Sequence, residues 1–157
     1  MLSASRLSCQ LRVGLVLLSL SLSGCQGGSS LPPIPETVPV SGVVLLDGKP
    51  LVAASILFVP SQGTKGIECS GVTDDDGRFE LKHPHGPTGA PAGTYGVVVS
   101  RLVDSRGLAI LPNPDVPPAD LGAVESLPPR YSSFDQTTLK AEVPHSAGEL
   151  KFELKSR

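Results

Sequence analysis

No apolar run in this sequence is long enough to span a membrane, no block of like charge occurs, and no two cysteines are free to pair with each other. Each absence excludes a class. The longest apolar stretch, Val13–Leu22, holds about ten residues, whereas a helix crossing a bilayer needs about twenty. The formal net charge is −2 and charged residues make up 18% of the chain, so the electrostatic footprint of a nucleic-acid binder is missing. Of three cysteines, Cys9 and Cys25 belong to the N-terminal segment, which leaves Cys69 alone and rules out a disulfide framework. No amphipathic helical period of useful length occurs. A domain here must hold together through its apolar core, which a chain of 157 residues is long enough to build.

What is present begins at the N-terminus. Arg6 and Arg12 both precede the apolar run, in the order of a secretory signal. Leu22-Ser23-Gly24-Cys25 follows: an aliphatic residue, two small residues and a cysteine, with no departure from the bacterial lipobox. The resemblance to bacterial lipoproteins implies that Cys25 receives a diacylglyceryl group, that residues 1–24 are removed as a signal peptide, and that the new amine is acylated by a palmitate-type chain. Several chains anchor stably, since each buried methylene contributes roughly 0.8 kcal/mol. The alternative is simple secretion after cleavage at another small residue. The expected location is the cell envelope, with the protein lipid-anchored to a membrane and facing away from the cytoplasm. The lipid bilayer, through acylated Cys25, is then the first partner. Residues 25–37 read as a tether, flexible at Gln26–Ser30 and stiffened towards an extended form by Leu31-Pro32-Pro33-Ile34-Pro35.

Residues 38–157 suit one all-β domain, because short β-branched and apolar runs are punctuated by Gly, Pro and Asp. Val38–Leu46 is the first expected strand, closed by the turn dipeptide Asp47-Gly48. Ile56-Leu57-Phe58-Val59 is apolar on both faces and so predicts a central strand. Glu68–Thr73 and Arg78–Lys82 flank the turn Asp74-Asp75-Asp76-Gly77; Phe79 and Leu81 face the core while Arg78, Glu80 and Lys82 face water. Thr94–Arg101 follows, with Tyr95, Val97 and Val99 on one side. Thr138–Val143 and Glu149–Lys155 alternate in the same way. Two alternating sets bury their apolar faces against each other, which predicts a Greek-key β-sandwich of about seven strands.

The blocks Val40-x-Gly42-x-Val44, Gly48-x-Pro50-Leu51, Ala54-x-Ile56-x-Phe58-x-Pro60, Thr73-Asp74-x-Asp76-Gly77-x-Phe79-x-Leu81 and Pro91-x-Gly93-x-Tyr95-x-Val97-x-Val99 carry a further resemblance. In this order they resemble the carboxypeptidase regulatory-like, transthyretin-like sandwich domains over residues 38–157. The chain departs from that family at Ala53, where glycine is common, and in the long stretch after the Thr94–Arg101 strand. The resemblance implies a non-catalytic binding or structural accessory of the cell envelope, acting on an envelope protein or a glycan. The alternatives are an accessory subunit or weak enzyme of the transthyretin-like hydrolase type, and a carbohydrate-binding surface module. The site itself must decide.

Several constellations bear on chemistry. His83-Pro84-His85 offers two metal donors, but zinc needs three or four, and His145 lies far along the chain. These histidines read as solvated loop residues. His-x-x-Glu is missing after every histidine, the chain ends Leu154-Lys155-Ser156-Arg157 rather than Tyr-Arg-Gly-Ser, and no Gly-x-Ser-x-Gly occurs. No catalytic residue and no cofactor is therefore expected. Asp74 and Asp76 are weak metal candidates: they resemble the start of a calcium loop, but the twelfth position is His85 and not glutamate. Cys69 reads as a buried, inert thiol, and the Tyr95 hydroxyl is expected to find a backbone acceptor at a corner of the sandwich. Finally, residues 103–137 form a Pro-rich loop without strand alternation, which reads either as a solvated, poorly ordered insertion or as a partner-facing surface on which Asp104, Asp115, Asp120 and Glu125 stand as polar contacts.

Overall fold

The computed structural model describes residues 36–61, 63–113, 115–146 and 148–157. Leu22, Ser23, Gly24, Cys25 and the tether up to Pro35 lie outside these residues. The described chain is all-β apart from two single-turn helices. In chain order the strands are β1 (Thr37–Val38), β2 (Val40–Leu46), β3 (Lys49–Pro50), β4 (Ser55–Pro60), β5 (Cys69–Val72), β6 (Arg78–Glu80), β7 (Ala90–Pro91), β8 (Gly93–Ser100), β9 (Leu102–Val103), β10 (Val124–Glu125), β11 (Lys140–Val143) and β12 (Gly148–Leu154). A 3-10 turn covers Pro118–Leu121, and α1 covers Pro129–Ser132.

One sheet has the order β11-β8-β4-β5 and is antiparallel throughout. The Ile56–Val59 run accordingly forms a central strand, between β8 and β5. In the other sheet β12 pairs with β2 in parallel along its whole length, from Gly148 beside Val40 to Leu154 beside Leu46. The opposite edge of β2 is shared by β6, at Ser41–Val43, and by β3, at Leu45 and Leu46. Consecutive strands β11 and β12 lie in different sheets, so the chain changes layers after Val143.

The layers meet through rings. Phe58 and Tyr95 come from the antiparallel sheet, Phe79 and Phe152 from the other, and Phe58 lies 5.7 Å from Tyr95, 6.4 Å from Phe79 and 6.2 Å from Phe152 between ring centroids. Around them Val44, Ile56, Leu81, Val97, Val99 and Leu154 are fully buried. Alternation explains who points inwards: Tyr95, Val97 and Val99 on β8 are buried, as are Ala141 and Val143 on β11 and Phe152 and Leu154 on β12.

The turns follow local chemistry. Asp47 and Gly48 hold φ of 52° and 81° between Leu46 and Lys49, which pair. Two left-handed residues in a two-residue loop match the right-handed twist of the flanking strands. Pro50 ends β3 beside Leu45, a place an edge strand tolerates. Ala53 has φ 56°, and a Cβ there costs about 1–2 kcal/mol. The position is held by Thr73: Ala53 N–H donates to the Thr73 carbonyl at 3.1 Å, and the buried Thr73 hydroxyl donates to Leu51 O at 2.6 Å and accepts from Ala54 N–H at 2.8 Å. Ala53→Gly is expected to raise stability by up to about 1 kcal/mol, after the glycine's larger unfolded-state freedom is subtracted. A lower denaturation midpoint would contradict the left-handed assignment.

The segment 103–137 holds more order than its lack of alternation predicts. β9 pairs with β10, and Val103 also bridges to Ala109, giving a small ribbon of three adjacent segments. Further on, Leu127 and Tyr131 drop into the core, and Lys155 N–H donates to the Tyr131 hydroxyl at 3.2 Å. Pro128 and Pro129 start α1, where a missing N–H costs nothing.

Candidate functional site

Three places gather polar or reactive groups. The first is a cleft of about 580 Å³ where β5 and β6 part, lined among others by Ser70, Asp74, Arg78, Glu80, Lys82 and Glu149. Its origin is topological. Ser70 and Lys82 exchange both backbone hydrogen bonds, at 3.1 and 2.8 Å, and Asp74 N–H donates to Arg78 O at 2.9 Å. Between these points the strands commit to different sheets, β5 to β4 and β6 to β2. The Asp74–Gly77 turn thus closes a hairpin joined at both ends and open in the middle. Arg78 and Glu149 face each other at 3.7 Å with both side chains well exposed, an arrangement that contributes little to stability.

Asp74 has a specific task at the tip. Its Oδ1 accepts from Asp76 N–H at 2.9 Å and from Arg78 N–H at 2.8 Å. The same pattern recurs at Asp104, whose Oδ1 accepts from Arg106 N–H and Leu108 N–H, both at 2.9 Å. Both turns place a glycine with positive φ three residues on, Gly77 and Gly107. The second turn carries Ser105 and Arg106 where the first carries Asp75 and Asp76, so the aspartate that nucleates the turn is what the geometry uses. Among the described residues no group of three or more His, Cys, Asp or Glu side chains is placed to hold a metal ion.

The second place lies under the far end of the hairpin. Continuing the Ser70–Lys82 register by one residue sets Cys69 opposite His83, both on the inner face. His83 is 6% exposed, which overturns its reading as a solvated loop residue. It extends the inward set Phe79, Leu81 by one more alternation. Nδ1 accepts from His85 N–H at 3.2 Å, while Nε2 is buried without a partner among the described residues. Cys69 is fully buried, and burial pushes its thiol up to about 11. A thiol so raised is a poor nucleophile. The Tyr95 hydroxyl donates to Pro91 O at 2.7 Å, the backbone acceptor expected of it, and burial, with Cys69 nearby, pushes it up to about 12.

The third place is the excursion after β8. Glu125, expected as a partner contact, is used internally: Oε1 accepts from Arg101 N–H at 3.0 Å and Leu127 N–H at 2.8 Å, and Oε2 from the Ser100 hydroxyl at 2.5 Å. Asp104 is likewise engaged in its own turn, and the Leu108 N–H above all holds its carboxyl below the usual carboxylate range. Asp115 and Asp120 remain exposed. What the excursion displays instead is apolar: Leu108, Leu111, Leu121 and Val124 are all exposed. Pairing of Val103 with Val124 and Ala109 places Val103, Ala109 and Val124 on one face of the ribbon, of which Val124 is exposed. Sequence reading missed this face because proline and glycine spacing conceals two-residue strands.

No family model and no curated protein sequence matches this chain. Among solved structures, it is similar to part of the crystal structure of a 9R-lipoxygenase from Cyanothece PCC8801, at 17% identity and a TM-score of 0.33. The likeness covers 79% of this chain and 16% of that one.

Proposed function

We propose that this chain is a lipid-anchored protein of the cell envelope, whose domain is a non-catalytic binding or structural module of the carboxypeptidase regulatory-like, transthyretin-like type. The observation that carries the reading is Leu22-Ser23-Gly24-Cys25, placed directly after a short apolar run. The fold is in keeping with it. Seven strands have three residues or more, namely β2, β4, β5, β6, β8, β11 and β12, and their number supports the reading of a seven-strand Greek-key sandwich.

Geometry also supports a display role. The described chain begins at the end of the sandwich where β1 pairs with β7, just before β8 starts at Gly93. The apolar excursion leaves from the other end of β8, after Ser100. These points are separated by the length of an eight-residue strand, about 26 Å. The excursion is thus displayed at the end of the domain opposite its first described strand, available to an envelope protein or a glycan.

Metabolic labelling with a fatty-acid analogue tests the anchor. The wild type is expected to take up label and to sediment with membranes, and Cys25→Ala to do neither. Equal labelling of the two chains would sink the proposal.

A further inference from the structure

The outer edge of β12 is unpaired among the described residues, and its stereochemistry is fixed by the partner it does have. Asp47 N–H donates to Leu154 O at 3.0 Å, so Leu154, Phe152 and Leu150 turn their backbone groups towards β2. Glu149, Lys151, Glu153 and Lys155 turn theirs outwards, by the alternation of a parallel ladder. At Lys155 these groups are already taken: its N–H donates to the Tyr131 hydroxyl at 3.2 Å and its carbonyl accepts from Arg130 at 2.7 Å. α1 therefore caps that end of the edge. Glu149, Lys151 and Glu153 remain as an open template.

We infer that this edge pairs with the same edge of a second copy, antiparallel about a two-fold axis at Leu150. The register follows by exclusion. Hydrogen bonding requires outward residues to face outward residues, which restricts the axis to whole positions along β12. An axis at Lys151 sets Lys151 against its own copy and Glu149 against Glu153. An axis at Phe152 drives the second strand into α1. An axis at Glu149 sets that carboxylate against itself. At Leu150, Glu149 of each copy stands beside Lys151 of the other, in two hydrogen-bonded pairs, and Leu150 meets Leu150.

The local interactions that must yield are weak. Glu149 is held only by exposed Arg78 at 3.7 Å, and Lys151 by exposed Glu153 at 2.6 Å. Leu150, half-buried against the core, gains cover from its copy. The contact is isologous, closes on itself and removes an edge that otherwise invites uncontrolled pairing. Because Val40 lies beside Gly148, the starts of the two β2 strands lie near the axis.

Sedimentation equilibrium of the full chain, with four variants, tests this pairing. The wild type is expected to dimerise. Lys151→Glu and Glu149→Lys should each weaken the dimer about tenfold through two like-charge pairs, and the double exchange Glu149→Lys/Lys151→Glu should restore it. Leu150→Cys should form a disulfide-linked dimer on oxidation, since residues facing each other at such an axis have Cα atoms about 4.5 Å apart. A monomeric wild type, or a dimer indifferent to both reversals and not crosslinked at position 150, overturns the pairing. The charged side chains are exposed, so the single reversals test the contact and not the fold.

Discussion

Phe58→Ala is expected to cost about 3–5 kcal/mol, a large part of the roughly 5–15 kcal/mol that holds a domain of this size together. The side chain is fully buried and is the ring that Tyr95, Phe79 and Phe152 all approach. Truncation removes the transfer energy of a benzyl group and leaves a cavity between two sheets. Neither sheet can collapse into it, because β4 is pinned on both sides by β8 and β5. Phe79→Ala and Phe152→Ala act on the same cluster from the other layer. Their effects should not add to that of Phe58→Ala, since neighbours in one cavity share its cost. The check is a urea titration of each variant. A Phe58→Ala midpoint equal to that of the wild type would mean that the layers do not meet where the rings place them.

Gly42→Ala is the second large effect, and it tests backbone against backbone. A methyl group added there runs into the carbonyl oxygen of Leu150 on β12, far inside van der Waals contact, and meets the Phe79 ring at 2.8 Å. Neither neighbour is free to move: Leu150 is locked in the parallel ladder and Phe79 is buried in the core. Relief requires β12 to part from β2 or the ring to leave its place, an overpacking cost at the top of the usual range, about 3 kcal/mol. Ser41→Ala next door, on the exposed face, should change stability by less than about 0.5 kcal/mol. If Gly42→Ala unfolds at the same denaturant concentration as Ser41→Ala, the parallel register of β12 on β2 is contradicted.

Gly42 also shows how far the sequence can be read. As part of Val40-x-Gly42-x-Val44 it is visible as a motif, but its cause is a strand more than a hundred residues away, which no local pattern reveals. Local signals did well where local chemistry decides. The Asp47-Gly48 turn, the central place of Ile56–Val59 and the inward set Tyr95, Val97, Val99 are all set by backbone propensity and alternation within a few residues. They did less well where two elements compete. His83 continues the parity of Phe79 and Leu81, yet the neighbouring Pro84 and His85 suggest a loop, and burial depends on Cys69 standing across from it. Glu125 looks like a free carboxylate in sequence; three donors from Ser100, Arg101 and Leu127 claim it only once the chain has returned to the end of β8. Tyr131 follows two prolines in a stretch without alternation, so nothing local announces that it enters the core.

The excursion is the least legible region for the same reason. Strands of two residues have no period to detect, and they form here because β9 extends β8 and lends its edge to β10 and to Ala109. Asp104 and Glu125 are engaged by the chain's own donors, while Leu108, Leu111, Leu121 and Val124 are exposed. A partner that recognises this end of the domain would therefore find leucine and valine beside the exposed Asp115 and Asp120.

The central claim, an anchor at Cys25 holding this domain in the envelope, is tested most directly by the mass of the N-terminal peptide of the protein isolated from membranes. The account predicts a peptide that begins at Cys25 and carries a diacylglyceryl group together with an amide-linked acyl chain. A peptide that begins elsewhere, or one in which Cys25 bears an unmodified thiol, would contradict it.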